Sequence, residues 1–234
     1  MYGVWLSTMA TKTRAAAPAK ERLSRDAVAR AGMALADSEG IDALTIRRLA
    51  GDLGVTPMAL YWHFKDKDAL LDGIAEEMLG EVRLPEGDAD DESWDASLRE
   101  LLDSLLDVLA AHPALAELVK RRMLLSDPGR EITERVLDLL RTGGFSPERS
   151  SQLAVSALLF MTSLVTGMPG LAVGASEDER EEEVRAKWAA LQALSPKRYP
   201  RILDSAESLT DCAASDEWLS LGMDTLMAGI RGQT

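Results

Sequence analysis

The chain has 234 residues, of which 46% are hydrophobic, 28% charged and 5% aromatic, a balance that suits a soluble globular protein of one large domain or a small domain plus a larger one. Its formal net charge of −13 argues against a protein that meets nucleic acid with its whole surface. The charge is uneven, however. Residues 11–67 hold 10 Lys/Arg and 7 Asp/Glu, a local +3, and residues 68–234 hold 16 and 32, a local −16. A mildly basic N-terminal part on an acidic body fits a molecule with one end that meets polyanion and another that does not.

The one cysteine, Cys212, cannot form an internal disulfide, and a reducing cytoplasm is its natural setting. Residues 1–10 are weakly apolar, but Lys12 and Arg14 follow them, the reverse of the order in a secretory signal. Residues 1–20 lack periodic apolar spacing and read as a flexible arm, or as sequence ahead of a start at Met9. Alternating strand patterns are absent and Ala/Leu/Arg/Glu stretches abound, so the expected fold is all-α.

In chain order, the first helix is expected from an N-cap at Ser24 to about Ser38, with Val28, Ala31 and Leu35 inward and Gly40 after its end. The second follows Thr45, with Ile46, Leu49, Ala50 and Leu53 on one face and Gly54 as breaker. Thr56 as N-cap and Pro57 at the first helical position open the third, because a missing N–H costs nothing there. The fourth begins at Asp66 and spaces Leu70, Leu71, Ile74, Ala75 and Met78 three or four apart. Residues 84–93, LPEGDADDES, read as an acidic linker.

Beyond the linker, Ser93 opens a helix rich in leucine (Leu98, Leu101, Leu102, Leu105, Leu106, Leu109) that Pro113 closes. A short helix reaches about Arg122. Asp127-Pro128 caps the next, which ends at Gly143-Gly144, and Ser146-Pro147 opens another. The acidic segment 177–185 leads into a helix through Trp188 and Leu194, Pro196 and Pro200 interrupt, and a last helix spans roughly 213–230. Residues 150–176 carry no charge and are long enough to span a bilayer. Ser156, Thr162, Ser163, Thr166, Gly167, Pro169 and Gly170, with no Lys/Arg cluster at either side, speak instead for a helix buried in the domain or between subunits. No membrane association is expected.

The segment VTPMALYWHFKDKDALL (55–71) is the most informative. At 100° per residue, Leu60 and Phe64 fall together toward the first two helices, while Met58, Tyr61 and Trp62 point largely the other way, flanked by Ala59 and His63. A unit this small has little interior, so Tyr61 and Trp62 face outward, where apolar exposure usually means a partner. Two helices joined by a tight turn at Gly54 match a helix-turn-helix, which projects the start of its second helix into a DNA major groove.

The residue types fit that task. Thr56 and Ala59 offer methyl groups to thymine, Pro57 and Met58 offer apolar contact, and Arg47 can pair with guanine or phosphate. Tyr61, His63 and Lys67 can bond phosphates, and so can the starts of the second and fourth helices. The bland alternatives are a partly buried Trp62, a His63 that merely ends a helix, and arginines that are only solvated, the reading favoured for Arg48.

The run GIDALTIRRLAGDLGVTPMALYWHFKDKDALLDGI (40–74), above all LYWHFKDKDALL with LGV before it, resembles the tetracycline-repressor family of bacterial transcriptional regulators. EWLSLGMDTLMAGI (217–230), after Tyr199-Pro200, resembles the last helix of that family's tetracycline-repressor-like C-terminal domain. After the arm at 1–20, the resemblance implies a DNA-binding unit with its connecting helix at 21–80 and a ligand-binding and dimerisation unit at 81–234. It implies that Arg47, Thr56, Pro57, Met58 and Ala59 face bases, with Tyr61, Trp62, His63 and Lys67 completing the DNA surface.

It also implies a homodimer through a four-helix bundle built from residues 147–173 and 213–230. A ligand cavity among the middle helices is expected to involve Trp94, Leu98, Leu101, Leu105, Met123, Phe160, Met161, Leu164 and Met168, although ordinary core explains each singly. The family's tetracycline–magnesium site uses histidines. This chain has only His63 and His112, so a larger, mostly apolar metabolite or antibiotic is expected instead, with no metal or other cofactor.

The expected function is a ligand-responsive repressor of a palindromic operator. The alternatives are a helical partner- or small-molecule-binding protein without DNA binding, or an enzyme. For the last, no Walker loop, HExxH or GxSxG is present, and His and Cys are too few for a metal cluster.

Overall fold

The computed structural model describes residues 23–85, 93–167, 177–210 and 216–233, and every described element is helical. The expected arm, most of the acidic linker, Met168 and Cys212 lie outside the described residues. The N-terminal helices are α1 (Arg25–Glu39), α2 (Ile46–Asp52), α3 (Pro57–Tyr61) and α4 (Lys67–Leu79). Each starts on the cap that the sequence predicts. Side-chain oxygens of Ser24, Thr45, Thr56 and Asp66 accept from the N–H groups of Ala27, Arg48, Ala59 and Ala69 at 3.1, 3.1, 3.3 and 2.7 Å. A cap of this kind stabilises a helix by about 1 kcal/mol, a large sum for elements this short.

Two glycines shape this head. Gly54, between α2 and α3, has φ +64°, a left-handed conformation that most side chains resist. Gly73 on α4 leaves room for Phe64, because a Cβ at that position would lie 2.5 Å from the ring. Arg25 caps the assembly, its guanidinium 4.8 Å from the Phe64 centroid. Leu44, Leu49, Leu60, Phe64, Leu70 and Ile74 fill the interior and are essentially inaccessible.

The body consists of α5 (Trp94–Ala111), α6 (Ala116–Arg122), α7 (Asp127–Thr142), α8 (Pro147–Thr166), α9 (Glu177–Gln192), α10 (Pro200–Asp204), α11 (Ala206–Thr210) and α12 (Asp216–Arg231). Short 3-10 turns, Pro113–Leu115 and Met123–Leu125, flank α6. α5 packs on α7, α8 and α12, and α8 packs on α7, α6 and α12. Arg99 to Asp224 and Arg231 to Asp95, both at 2.6 Å, fasten α12 to α5.

Helix α4 belongs to both parts. It lies on α1 in the head and on α6 and α7 in the body, and its Met78 and Leu79 join one continuous apolar core with the α5 leucines. Polar ties reinforce the joint. Arg122 of α6 reaches Asp68 at 2.8 Å and Asp72 at 3.3 Å on α4. His112 Nδ1 lies 2.8 Å from Asp37 on α1, with Nε2 3.7 Å from Glu81.

Three sequence expectations change in detail. Ser126, not Asp127, caps α7: its hydroxyl accepts from the Gly129 N–H at 3.2 Å, which leaves Asp127 and Pro128 inside the first turn. The acidic segment 177–185 does not lead into a helix but forms its start. Ion pairs one turn apart, Arg185–Glu181 and Lys187–Glu183, offset the local crowding of carboxylates. Between Pro200 and Thr210 the chain forms two single-turn helices that carry too few residues for a visible periodicity.

α8 takes up the first part of the uncharged stretch 150–176. It buries Leu153, Ala157, Met161, Leu164 and Val165 but leaves Val155, Leu159 and Phe160 exposed. Val155 and Leu159 line an apolar pocket in the body, and Phe160 stands on the other side of the helix beside α12. Among the described residues no helix is long and apolar enough to cross a membrane.

Candidate functional site

The tip of the head is the first candidate. Helix α3 turns Leu60 inward, and Phe64 follows it there, both at or below 1% exposure. Those two anchors fix the rotation of the segment. The opposite side therefore carries Met58 and Trp62 into solvent at 67% and 85% exposure, with Tyr61 also exposed. Thr56 and Pro57 are exposed at the start of the helix, and Ala59 and His63 are half-buried at its edges. The rings of 61–64 thus divide: Phe64 is core, and Trp62 is not partly buried but nearly free.

The cations around this tip differ in what they already hold. Arg48 is clamped between Glu39, at 2.5 Å, and Asp52. The hydrogen bond from Arg48 holds the Glu39 carboxyl below its ordinary range, and the same pair raises the guanidinium. Arg47, Lys65 and Lys67 are exposed and have no ion pair among the described residues. Neighbours in sequence, Arg47 and Arg48 therefore present opposite chemistry: one is neutralised in place, the other is available to an outside anion. The sequence pattern alone does not single out Lys65. Only its lack of a carboxylate partner, a tertiary property, marks it.

The second candidate is an apolar pocket of about 290 Å³ in the body, bounded by α5, α6, α7, α8 and the turn at Met123–Leu125. That volume lies near the lower end for small-molecule sites. It brings together Leu105, Met123 and Met161 of the expected cavity residues. Trp94 instead packs edge-on against Phe145 at 5.8 Å. Leu98 and Leu101 are sealed in the core, and Leu164 is buried beside Gly222 of α12. Phe160 lies in a shallow groove between α8 and α12.

Ile132 and Val136 of α7 and Ala154, Val155, Leu158 and Leu159 of α8 are also in the pocket walls. Their spacing along α7 and α8 shows an apolar face but not which neighbour it meets. No His, Asp or Glu stands among the described lining residues, and no group of His, Cys, Asp and Glu among the described residues could hold a metal ion. The charged residues on the pocket are Lys120 and Arg121.

A helix-turn-helix head with an outward aromatic tip, joined by a shared helix to a larger helical body that holds an apolar pocket, defines a ligand-responsive DNA-binding regulator of transcription. Similarity to known proteins agrees. Residues 29–74 match the family of bacterial regulatory proteins of the tetR type, and residues 85–234 match the tetracyclin repressor-like C-terminal domain. The chain belongs to the tetR family.

Tetracycline repressor protein class C from Escherichia coli is 30% identical over 209 residues, covering 89% of this chain and 91% of that protein. The Streptomyces coelicolor TetR family protein ActR, in complex with actinorhodin, superposes with a TM-score of 0.74 at 27% identity, covering 91% of this chain and 97% of that one. BioQ bound to its natural double-stranded DNA operator superposes with a TM-score of 0.55 at 27% identity, over 88% and 99% of the two chains.

Proposed function

We propose that this chain is a cytoplasmic repressor without catalytic activity, which binds a palindromic operator as a homodimer and leaves it when a small, largely apolar molecule enters the body. Residues 21–80 act as the DNA-binding unit and 81–234 as the ligand-binding and dimerisation unit. The observation that carries the reading is the division of α3, with Leu60 and Phe64 locked inside while Met58, Tyr61 and Trp62 stand in solvent. A monomer gains nothing from a free tryptophan at the tip of a domain. A duplex groove gives it a use.

In this reading Arg47, Thr56, Pro57, Met58 and Ala59 face bases, and Tyr61, Trp62, His63 and Lys67 hold the backbone and wall of the groove. Dimerisation uses the outer faces of α8 and α12, within residues 147–173 and 213–230. Phe160, Trp218 and Leu221 are exposed there, beside the small exposed residues Ser156, Thr225 and Gly229. Small residues between large apolar ones let helices approach and interdigitate, as a bundle between two subunits requires.

Switching follows from the joint. Because α4 shares a core with both parts and is tied to α6 through Arg122, a ligand that shifts α6 moves the reading head with it. The ligand acts only through the difference in its affinity for the two arrangements, and moving the equilibrium from mostly bound to mostly free takes about 5.5 kcal/mol.

The test is a mobility-shift titration of the purified protein on the DNA upstream of its own gene, at two salt concentrations. A specific complex with two heads per duplex, weakened strongly by salt, is expected. Absence of any shift, with a small molecule still bound or turned over, refutes the reading in favour of a binding protein or an enzyme.

A further inference from the structure

We infer that the body pocket takes an apolar molecule carrying a negative charge, with Arg121 as the group that meets the anion. The inference rests on the regulatory reading of that pocket and adds the chemical class of its occupant.

The walls are hydrocarbon: Leu105, Met123, Ile132, Val136, Leu158 and Met161. The polar groups are few and mostly committed. Thr133 donates its hydroxyl hydrogen to the Gly129 carbonyl at 2.7 Å. Lys120 holds Glu117 at 2.5 Å, one turn back on α6. Arg121 is exposed at the edge of the pocket and has no ion pair among the described residues.

Three classes of occupant can be compared on these facts. A cation meets the unpaired Arg121 guanidinium and finds no carboxylate in the lining itself, since Glu117 is held by Lys120, so nothing in the pocket favours it. A neutral apolar molecule fills the walls but leaves the guanidinium to water and gains nothing from it. An anion fills the walls and also receives paired N–H donors from Arg121, the geometry that suits carboxylate and sulfonate groups. The surroundings sharpen the point. Residues 81–234 hold 16 Lys/Arg and 28 Asp/Glu, a net −12, so the body as a whole repels anions, and an uncommitted cation at an apolar opening is the local exception.

Because Arg121 is exposed, water screens the contact, and the expected preference for the anionic form is about tenfold. Apolar burial supplies most of the affinity and the charge supplies selectivity.

The test uses two fluorescent probes with one skeleton: 8-anilinonaphthalene-1-sulfonate, which is anionic, and N-phenyl-1-naphthylamine, its neutral counterpart. Each is titrated into the full-length protein, the Arg121→Gln and Arg121→Lys variants, and Arg141→Gln as a second exposed arginine outside the pocket. The sulfonate is expected to bind about tenfold tighter than the neutral probe. Arg121→Gln removes that margin without changing the neutral probe, Arg121→Lys keeps part of it, and Arg141→Gln leaves both unchanged. Ala154→Phe, which fills the pocket from α8, weakens both probes. Equal affinity for the two probes in the unmodified protein, a sulfonate preference that survives Arg121→Gln, or sulfonate binding that Ala154→Phe does not weaken overturns the inference while the apolar-pocket reading stands. Failure of both probes to bind removes that reading as well.

Discussion

The tip of α3 and the outer face of α8 and α12 expose the same kind of side chain for different ends. Met58, Tyr61 and Trp62 stand out from the head, and Phe160, Trp218 and Leu221 from the body. Hydrophobicity does not distinguish the two patches; their borders do. Around the head patch stand Arg47, Lys65 and Lys67, exposed and without ion pairs among the described residues. On the body patch α8 has no charged residue from position 150 to its end, and the charges of α12 beside Trp218 and Leu221 are the carboxylates of Glu217 and Asp224, the latter held by Arg99. An apolar patch bordered by uncommitted cations fits a polyanion with an apolar groove lining. One bordered by carboxylates and small polar residues repels a polyanion and fits another protein surface, and a second copy of the same helices is the complement at hand.

The largest expected effect comes from breaking the body patch. Leu221→Glu places a charge at the centre of the proposed bundle, where an unpaired charge costs several kcal/mol. Sedimentation should then show a monomer and circular dichroism an unchanged helical content, and operator affinity should fall by two orders of magnitude or more, since the two heads no longer bind as one. A dimer that survives this change contradicts the assignment of the face.

Phe64→Ala tests what holds the head patch outward. Loss of a buried phenylalanine costs about 3–5 kcal/mol, to be read from urea unfolding followed by circular dichroism. A variant as stable as the parent means that the inward anchor is not Phe64.

Within the head patch, Met58→Ala should alter preference at particular bases by about 1 kcal/mol, the scale of a lost apolar contact, whereas Tyr61→Phe, which removes the hydroxyl proposed to bond a phosphate, should weaken all sequences alike by about 1 kcal/mol. Binding measured on a set of single-base operator variants separates the two, and the opposite pattern reverses the roles.

The smallest effect separates two adjacent arginines. Arg47→Gln should weaken operator binding and relax preference at one base. Arg48→Gln should leave both unchanged, because its guanidinium is held by Glu39 and Asp52. Equal effects of the two variants erase the distinction that the structure draws.

Which features were legible in the sequence follows from how local they are. Caps are local, so Ser24, Thr45, Thr56 and Asp66 announce their helices without any knowledge of the fold. The rotation of α3 is also local, because two bulky residues four apart must share a face, and this already separates Leu60 and Phe64 from Met58 and Trp62. At α7, two acceptable caps stand side by side, and only the backbone geometry chooses Ser126 over Asp127. The acidic stretch at 177–185 reads by composition as leading into a helix, and is itself helical, with ion pairs to Arg185 and Lys187.

The pocket is the least legible feature, because a helical stripe tells which side is apolar but not what it faces. Leu98 and Leu105 look equivalent along α5, yet the first is sealed in the core and the second lines the pocket. The distinction between Arg47 and Arg48 is equally hidden, because it depends on Glu39 arriving from the end of α1.

The central claim is that two copies of the α3 tip, held apart by one dimer, read a duplex groove. Selection of bound DNA from a random duplex pool tests it directly. The account predicts a palindromic sequence whose half-sites lie about one helical turn apart, centre to centre, with enrichment lost in the Leu221→Glu protein. Enrichment of a lone, unrepeated site, or of no sequence at all, contradicts it.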